Sequence, residues 1–242
     1  VTGQTNRQIQ HSTTFEQGRF IKRYKRFFAE VELPQKGLIT AHCPNTGSMK
    51  GCLKEGAPVY ISLSSNRKRK LPYTLEAIKP EKAWIGVNTH RPNHLVKEWI
   101  ARGCFPELGK ITSLRSEVKV GSQMRVDLEL THPGQKRSLV EIKNVTYKDD
   151  RGFAAFPDAE TKRGQKHAEE LTELHQDEMI QSYFLFLINR NDCKAFRPAQ
   201  EIDRAYAAKL RKAFDGGVGV LAYSSALDGC GITLGDALPI RW

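Results

Sequence analysis

Hydrophobic side chains in the first third of the chain recur in short runs with the two-residue period of β-strands. Residues 20–33 form one long β-rich stretch with cations inserted, and 37–42 (GLITAH) follow after a short turn. Residues 57–62, 71–78 and 83–87 complete a set of about five strands, the number a small barrel of the OB type uses. A turn-rich loop, PNTGSMKGC (44–52), separates the second strand from the third, and SSNRKRKLP (64–72) separates the third from the fourth.

The period changes at Pro92. In PNHLVKEWIAR (92–102), Leu95, Trp99 and Ile100 stand at helical spacing behind an N-terminal proline, which predicts a helix bridging two modules. Strand-like alternation returns at 116–120, 124–130 and 139–146, with a Gly-Ser turn and then a Pro-Gly turn between them. Residues 158–177 read as a long polar helix with Ala168, Leu171 and Leu174 inward, and 183–189 (YFLFLIN) as a buried strand. A helix over 203–214 capped by Asp203 and a strand over 219–223 follow. The order β-β-β-α-β-α-β predicts an α/β sandwich on a mixed sheet. Two domains are expected, 1–90 as an OB-fold nucleic-acid-binding barrel and 91–242 as the α/β unit.

The polar positions of that second unit carry the chemistry. Over 124–130, Met124, Val126, Leu128 and Leu130 alternate with Arg125, Asp127 and Glu129. Over 138–145, Glu141 and Lys143 share one face while Val140 and Ile142 take the other. Neighbouring strands then bring an Asp, a Glu and a Lys together. Two carboxylates that ligate Mg²⁺ or Mn²⁺, beside an ammonium that steers a water, suit cleavage of a phosphodiester. Glu117 adds a third acid on the preceding strand, and three carboxylates on one face repel one another unless a cation neutralises them. The plain alternatives are a solvated strand face and, for Glu117, an ion pair with Lys119 or Arg125.

Charge sharpens the picture. The 242 residues carry a formal net charge of +11, with 15 Lys/Arg against 6 Asp/Glu over residues 1–90 and 23 against 21 over the remainder. The front part has the balance of a module that grips a polyanion. In RFIKRYKRFF (19–28), Arg23, Lys25 and Arg26 are candidate DNA contacts, while Phe27 is expected to fill the core. Arg67, Lys68, Arg69 and Lys70 form a candidate phosphate clamp. Arg163, Gln165 and Lys166, in the first turns of the polar helix, are expected to form a second wall of the site.

Other classes are disfavoured. No apolar run has the length of a membrane helix, so no membrane partner is expected. The N-terminal stretch lacks the apolar core of a secretory signal, and five scattered cysteines fit a reducing cytoplasm better than a disulfide framework. There is no G-x-S-x-G, phosphate-loop or dinucleotide glycine pattern, and the histidines show no metal-ligand spacing.

Five blocks in order, RFIKRYKRFFAEV, HCPNTGSMKGC, SEVKVGSQMRVDLEL, VEIKNVT and FPDAETKRGQKH, resemble the sugar fermentation stimulation protein A family over nearly the whole chain from Phe20 onward. The resemblance implies an N-terminal OB-fold β-barrel followed by a PD-(D/E)xK nuclease-like α/β domain with a mixed central sheet. Under it Asp127 is the motif's Asp, Glu141 and Lys143 are its (D/E)-x-K, and Glu117 is an additional upstream acid; Val126 stands where the motif has Pro. It also implies DNA binding, described historically as regulation of maltose-metabolism genes. Two functions follow as expectations: a Mg²⁺- or Mn²⁺-dependent DNA endonuclease, or a non-catalytic DNA-binding transcriptional regulator that keeps the nuclease fold as a scaffold. Either way the partner is DNA, bound through its backbone with weak sequence specificity and strong salt dependence.

Overall fold

A computed structural model of the protein describes residues 6–120 and 124–242. The first strand, β1 (Gln8–Gln10), does not join the barrel that follows it. It pairs antiparallel with β15 (Gly231–Ala237) at the far end of the chain. The barrel consists of β2 (Phe15–Tyr24), β3 (Phe28–Leu33), β4 (Gly37–His42), β5 (Pro58–Leu63), β6 (Tyr73–Ile78) and the short β7 (Ile85–Gly86), in the order β4-β3-β2-β5-β6-β7. A parallel bridge, His42 to Thr74, joins β4 to β6 and closes it. Phe20, Val31, Ile61, Leu75, Ile78 and Ile85 fill its interior.

The long strand expected over 20–33 is two strands. Lys25 (φ 48°) and Arg26 (φ 62°) take left-handed backbone angles, and the chain reverses so that Tyr24 pairs with Phe28. Neither residue is the Gly or Asn that usually marks such a turn, so the reversal leaves no local signal. Phe27 consequently stands exposed at the hairpin tip and does not fill the core. Tyr24 and Phe28 stack on each other, with ring centroids 5.2 Å apart.

The larger unit is a seven-stranded mixed sheet with the order β1-β15-β14-β12-β10-β9-β8. Its strands are β8 (Ser113–Val120), β9 (Met124–Thr131), β10 (Arg137–Val145), β12 (Ile180–Ile188) and β14 (Gly219–Leu227), beside β1 and β15. β10, β12 and β14 run parallel, and the remaining pairings are antiparallel. α1 (Pro92–Ala101) covers one face, packing Leu95, Trp99 and Ile100 over Val140, Ile142, Leu185 and Leu187. α2 (Lys162–Leu174) and α3 (Arg204–Asp215) cover the other, where Ala168, Leu171, Tyr206 and Leu210 meet Leu139, Phe184 and Phe186. β11 (Phe153–Phe156) and β13 (Ala195–Pro198) form a separate parallel pair, which the sequence pattern does not announce.

Helix ends follow capping chemistry. Thr161 accepts the Gly164 N–H, and α2 starts at Lys162, four residues later than the polar pattern suggests; Asp203 accepts the Tyr206 N–H and caps α3 as expected. The expected Gly-Ser turn at 121–122 lies outside the described residues.

One expectation about the sheet fails in an informative way. Strict alternation puts Met124, Val126, Leu128 and Leu130 on one face. Instead Leu128 and Leu130 belong to the α1 side, and Met124 and Val126 to the α2–α3 side. β8 changes face at the same level, with Leu114 on the α1 side and Val118 and Val120 on the other. Glu117, between the pairs Ser116–Leu128 and Val118–Val126, sits at the switch with φ 55°. A left-handed residue reverses the phase of a strand, and nothing in the hydrophobic pattern marks it.

Candidate functional site

The site forms where β9 and β10 part. Their pairing runs from Arg137–Thr131 to Val140–Leu128 and stops there, leaving Glu141 and Asp127 as the next opposed residues. The Asp127 side chain fills the opening: Oδ2 accepts the Ile142 N–H at 2.7 Å, and Oδ1 accepts Asn93 Nδ2 at 2.8 Å from the first turn of α1. On β10 the two-residue period holds, and Glu141 and Lys143 lie on the side that faces α2.

Glu141 is 4 % exposed. Its Oε1 accepts from Lys143 Nζ at 2.7 Å and from His167 Nδ1, on α2, at 2.5 Å. That bond places the imidazole proton on Nδ1 and leaves Nε2 to accept from Arg163 Nε at 3.4 Å. The other carboxylate oxygen, Oε2, is buried without a hydrogen-bond partner among the described residues.

Electrostatics separate the two acids. Burial pushes Glu141 upward, but the His167 bond and the Lys143 ammonium outweigh it and hold the carboxyl below its ordinary range. Burial, and then the neighbouring Glu141 charge, push Asp127 up to about 6. Two crowded carboxylates, one destabilised as an anion and one with an orphaned oxygen, are short of positive charge. That is the environment a hard divalent cation relieves, so Asp127 and Glu141 fit such an ion on chemical grounds.

Past Lys143 the site opens into a cavity of about 270 Å³ between the two units. Asn45, Thr46 and Gly47 of the barrel loop line it opposite Lys143, Tyr147 and Asp158. Asp158 latches the loop, accepting from Ser48 Oγ at 3.0 Å and Met49 N–H at 3.1 Å. Gly47 sits close against that latch, and a Cβ there would stand 3.0 Å from the Asp158 carboxylate, which would have to give by a few tenths of an ångström.

Several expected residues sit elsewhere. Glu117 is exposed on the edge strand, and no three His, Cys, Asp or Glu side chains among the described residues gather closely enough to hold a metal. Glu117 is level with Asp127 in the strand register, but its backbone is left-handed (φ 55°) and its side chain is exposed, whereas Asp127 and Glu141 are turned inward. Gln165 is buried and donates to both Asp203 oxygens, at 3.0 and 3.1 Å, tying α2 to α3 instead of walling the site. Arg23 spends its guanidinium on three main-chain carbonyls, those of Arg26 (3.1 Å), Asn45 (2.8 Å) and Gly47 (3.1 Å). Lys25 and Arg26 are exposed at the hairpin tip, as are Arg67, Lys68 and Lys70 on their loop, where Arg69 Nη1 donates to Thr74 Oγ1 at 3.1 Å. Arg163 is exposed beside His167, and Lys166 lies 3.6 Å from Glu170.

Two participants have no place in the sequence motif. Asn93 gives no signal of its own. His167 does, because it stands four residues after Arg163 on one helical face in the block FPDAETKRGQKH.

An OB barrel joined to an α/β domain on a mixed sheet, with Asp127, Glu141 and Lys143 meeting near the junction, defines the class. The chain belongs to the sugar fermentation stimulation protein family. The SfsA N-terminal OB domain matches residues 21–87 and the sugar fermentation stimulation protein RE domain matches residues 90–230. The sugar fermentation stimulation protein homolog of Geobacter sulfurreducens is 45 % identical over 223 residues, covering 92 % of this chain and 94 % of the relative. That of Pseudomonas putida is 44 % identical over 235 residues, covering 96 % and 98 %. Among solved structures, Pyrococcus furiosus SfsA in complex with Ca²⁺ superposes with a TM-score of 0.84 at 23 % identity, over 97 % of this chain and 98 % of that one. No helix among the described residues is long and apolar enough to cross a membrane.

Proposed function

We propose that this protein binds DNA and hydrolyses its phosphodiester bonds with a divalent cation, Mg²⁺ or Mn²⁺, held by Asp127 and Glu141. The observation that carries the reading is the buried, unpartnered Glu141 Oε2 beside a carboxylate whose pKa is raised to about 6. A cation bound there supplies polarisation of a phosphoryl oxygen and acidification of a water. Lys143, its side chain 12 % exposed, offsets charge that develops on the phosphate. His167 fixes the orientation of Glu141, and Asn93 that of Asp127. Lys25, Arg26 and the 67–70 loop hold the DNA backbone without reading its sequence, and Arg163 extends that grip beside His167. The complex of Pyrococcus furiosus SfsA with Ca²⁺ agrees with a divalent ion in this family.

One observation favours the regulator reading. Three of the four oxygens of Asp127 and Glu141 already accept hydrogen bonds from protein donors, as in a purely structural polar cluster. Supercoiled plasmid decides between them. The wild-type protein is expected to nick it with Mg²⁺ or Mn²⁺ and not with chelator, and Lys143→Ala to lower the rate by about 10²–10³. Tight binding without strand breakage in any divalent ion supports the regulator instead.

A further inference from the structure

We propose that the hairpin tip formed by Lys25, Arg26 and Phe27 is a wedge for an unstacked base. The nucleic acid this protein takes is then one with a locally displaced nucleotide, such as a bulge or a strand junction. The inference rests on the nucleic-acid reading above and narrows its substrate class.

Phe27 is 47 % exposed, while the next residue, Phe28, packs on Tyr24. The two residues before it hold left-handed backbone angles that favour Gly or Asn, yet both are cations. An aromatic ring beside cations at a turn that disfavours them has the chemistry to grip phosphates and to stack on a base at once.

The tip is also held firmly from behind. Cys43 N–H donates to the Phe27 carbonyl at 2.7 Å, and Arg23 Nε donates to the Arg26 carbonyl at 3.1 Å. The same guanidinium grips the carbonyls of Asn45 and Gly47, in the loop that lines the cavity shared with Lys143. One arginine therefore sets the position of the tip relative to the mouth of the candidate site. A rigid apolar side chain pressed between bases must offset lost stacking, and that cost is smallest where a base is already displaced.

The test uses two fluorescent duplexes of one sequence, one fully paired and one with a single-nucleotide bulge beside a 2-aminopurine, in chelator so that no strand is cut. Wild type is expected to bind the bulged duplex about tenfold more tightly and to change the 2-aminopurine emission. Phe27→Ala should bring the bulged duplex down to the affinity of the paired one, and Phe27→Trp should restore the preference. Equal wild-type affinity for both duplexes, or a preference that survives Phe27→Ala, overturns the wedge and leaves DNA binding standing. Absence of binding to either duplex overturns the wedge together with the reading it rests on.

Discussion

Asp127 completes a ladder that its own strand has left: its Oδ2 accepts the Ile142 N–H at 2.7 Å, beyond the last paired residues, Val140 and Leu128. A side chain stands in for a main-chain acceptor. This fixes the carboxylate against β10 and opposite Glu141, so that the two acids cannot swing apart to relieve their repulsion. The sheet opens at the one row where both strands carry an acid.

The crowding has a pH signature. Asp127 is raised to about 6 in the folded protein, while an unfolded chain titrates it near its ordinary value of about 3.9. A raised carboxyl favours the fold while protonated, so its contribution is fully present below about pH 4 and is lost as pH rises through 6. A displacement of that size corresponds to about 3 kcal/mol. In chelator, Asp127→Asn should therefore gain melting temperature relative to wild type as pH is raised from 4 to 7. A difference that stays flat across that range contradicts the assignment.

The basic residues of the barrel divide by what they touch. Arg23→Ala strips three main-chain carbonyls of their donor and should cost about 1–3 kcal/mol of stability, read by denaturant unfolding. Lys25→Ala and Arg26→Ala should leave stability nearly unchanged. Each should lower the slope of log affinity for DNA against log salt by about one. Identical salt slopes in wild type and the two tip variants would remove the hairpin from the DNA path.

α2 divides in the same manner. Gln165→Ala leaves the Asp203 carboxylate short of a donor and should lower stability by about 1–2 kcal/mol without changing DNA affinity. Arg163→Ala, at an exposed position, should leave melting unchanged and weaken DNA binding. A reversed pattern in calorimetry and anisotropy would place Gln165 at the site and Arg163 outside it.

The core of this arrangement was legible because β10 keeps its period. From Leu139 to Val145 nothing interrupts the alternation, so Glu141 and Lys143 share a face as their spacing requires. The same logic misplaced Glu117, because one left-handed residue at the edge strand reverses a phase that the hydrophobic pattern cannot report. It also merged β2 with β3, where Lys25 and Arg26 turn the chain without Gly or Asn. Gln165 and Arg23 look like ligand-binding groups in sequence, and only tertiary contacts reveal that their donors are engaged inside the protein. His167 was the opposite case, marked only by its four-residue spacing from Arg163, with a role that depends on α2 packing over β10. β1 could not be read at all, since its partner lies at the other end of the chain.

Mn²⁺ titration calorimetry tests the central claim most directly, because everything proposed for catalysis by this protein needs Asp127 and Glu141 to gather a cation. The wild-type protein is expected to show a binding event that Asp127→Asn and Glu141→Gln each abolish and that Glu117→Gln leaves in place. Heats of binding that are absent from the wild type, or that persist unchanged when Glu141 is neutralised, would contradict it.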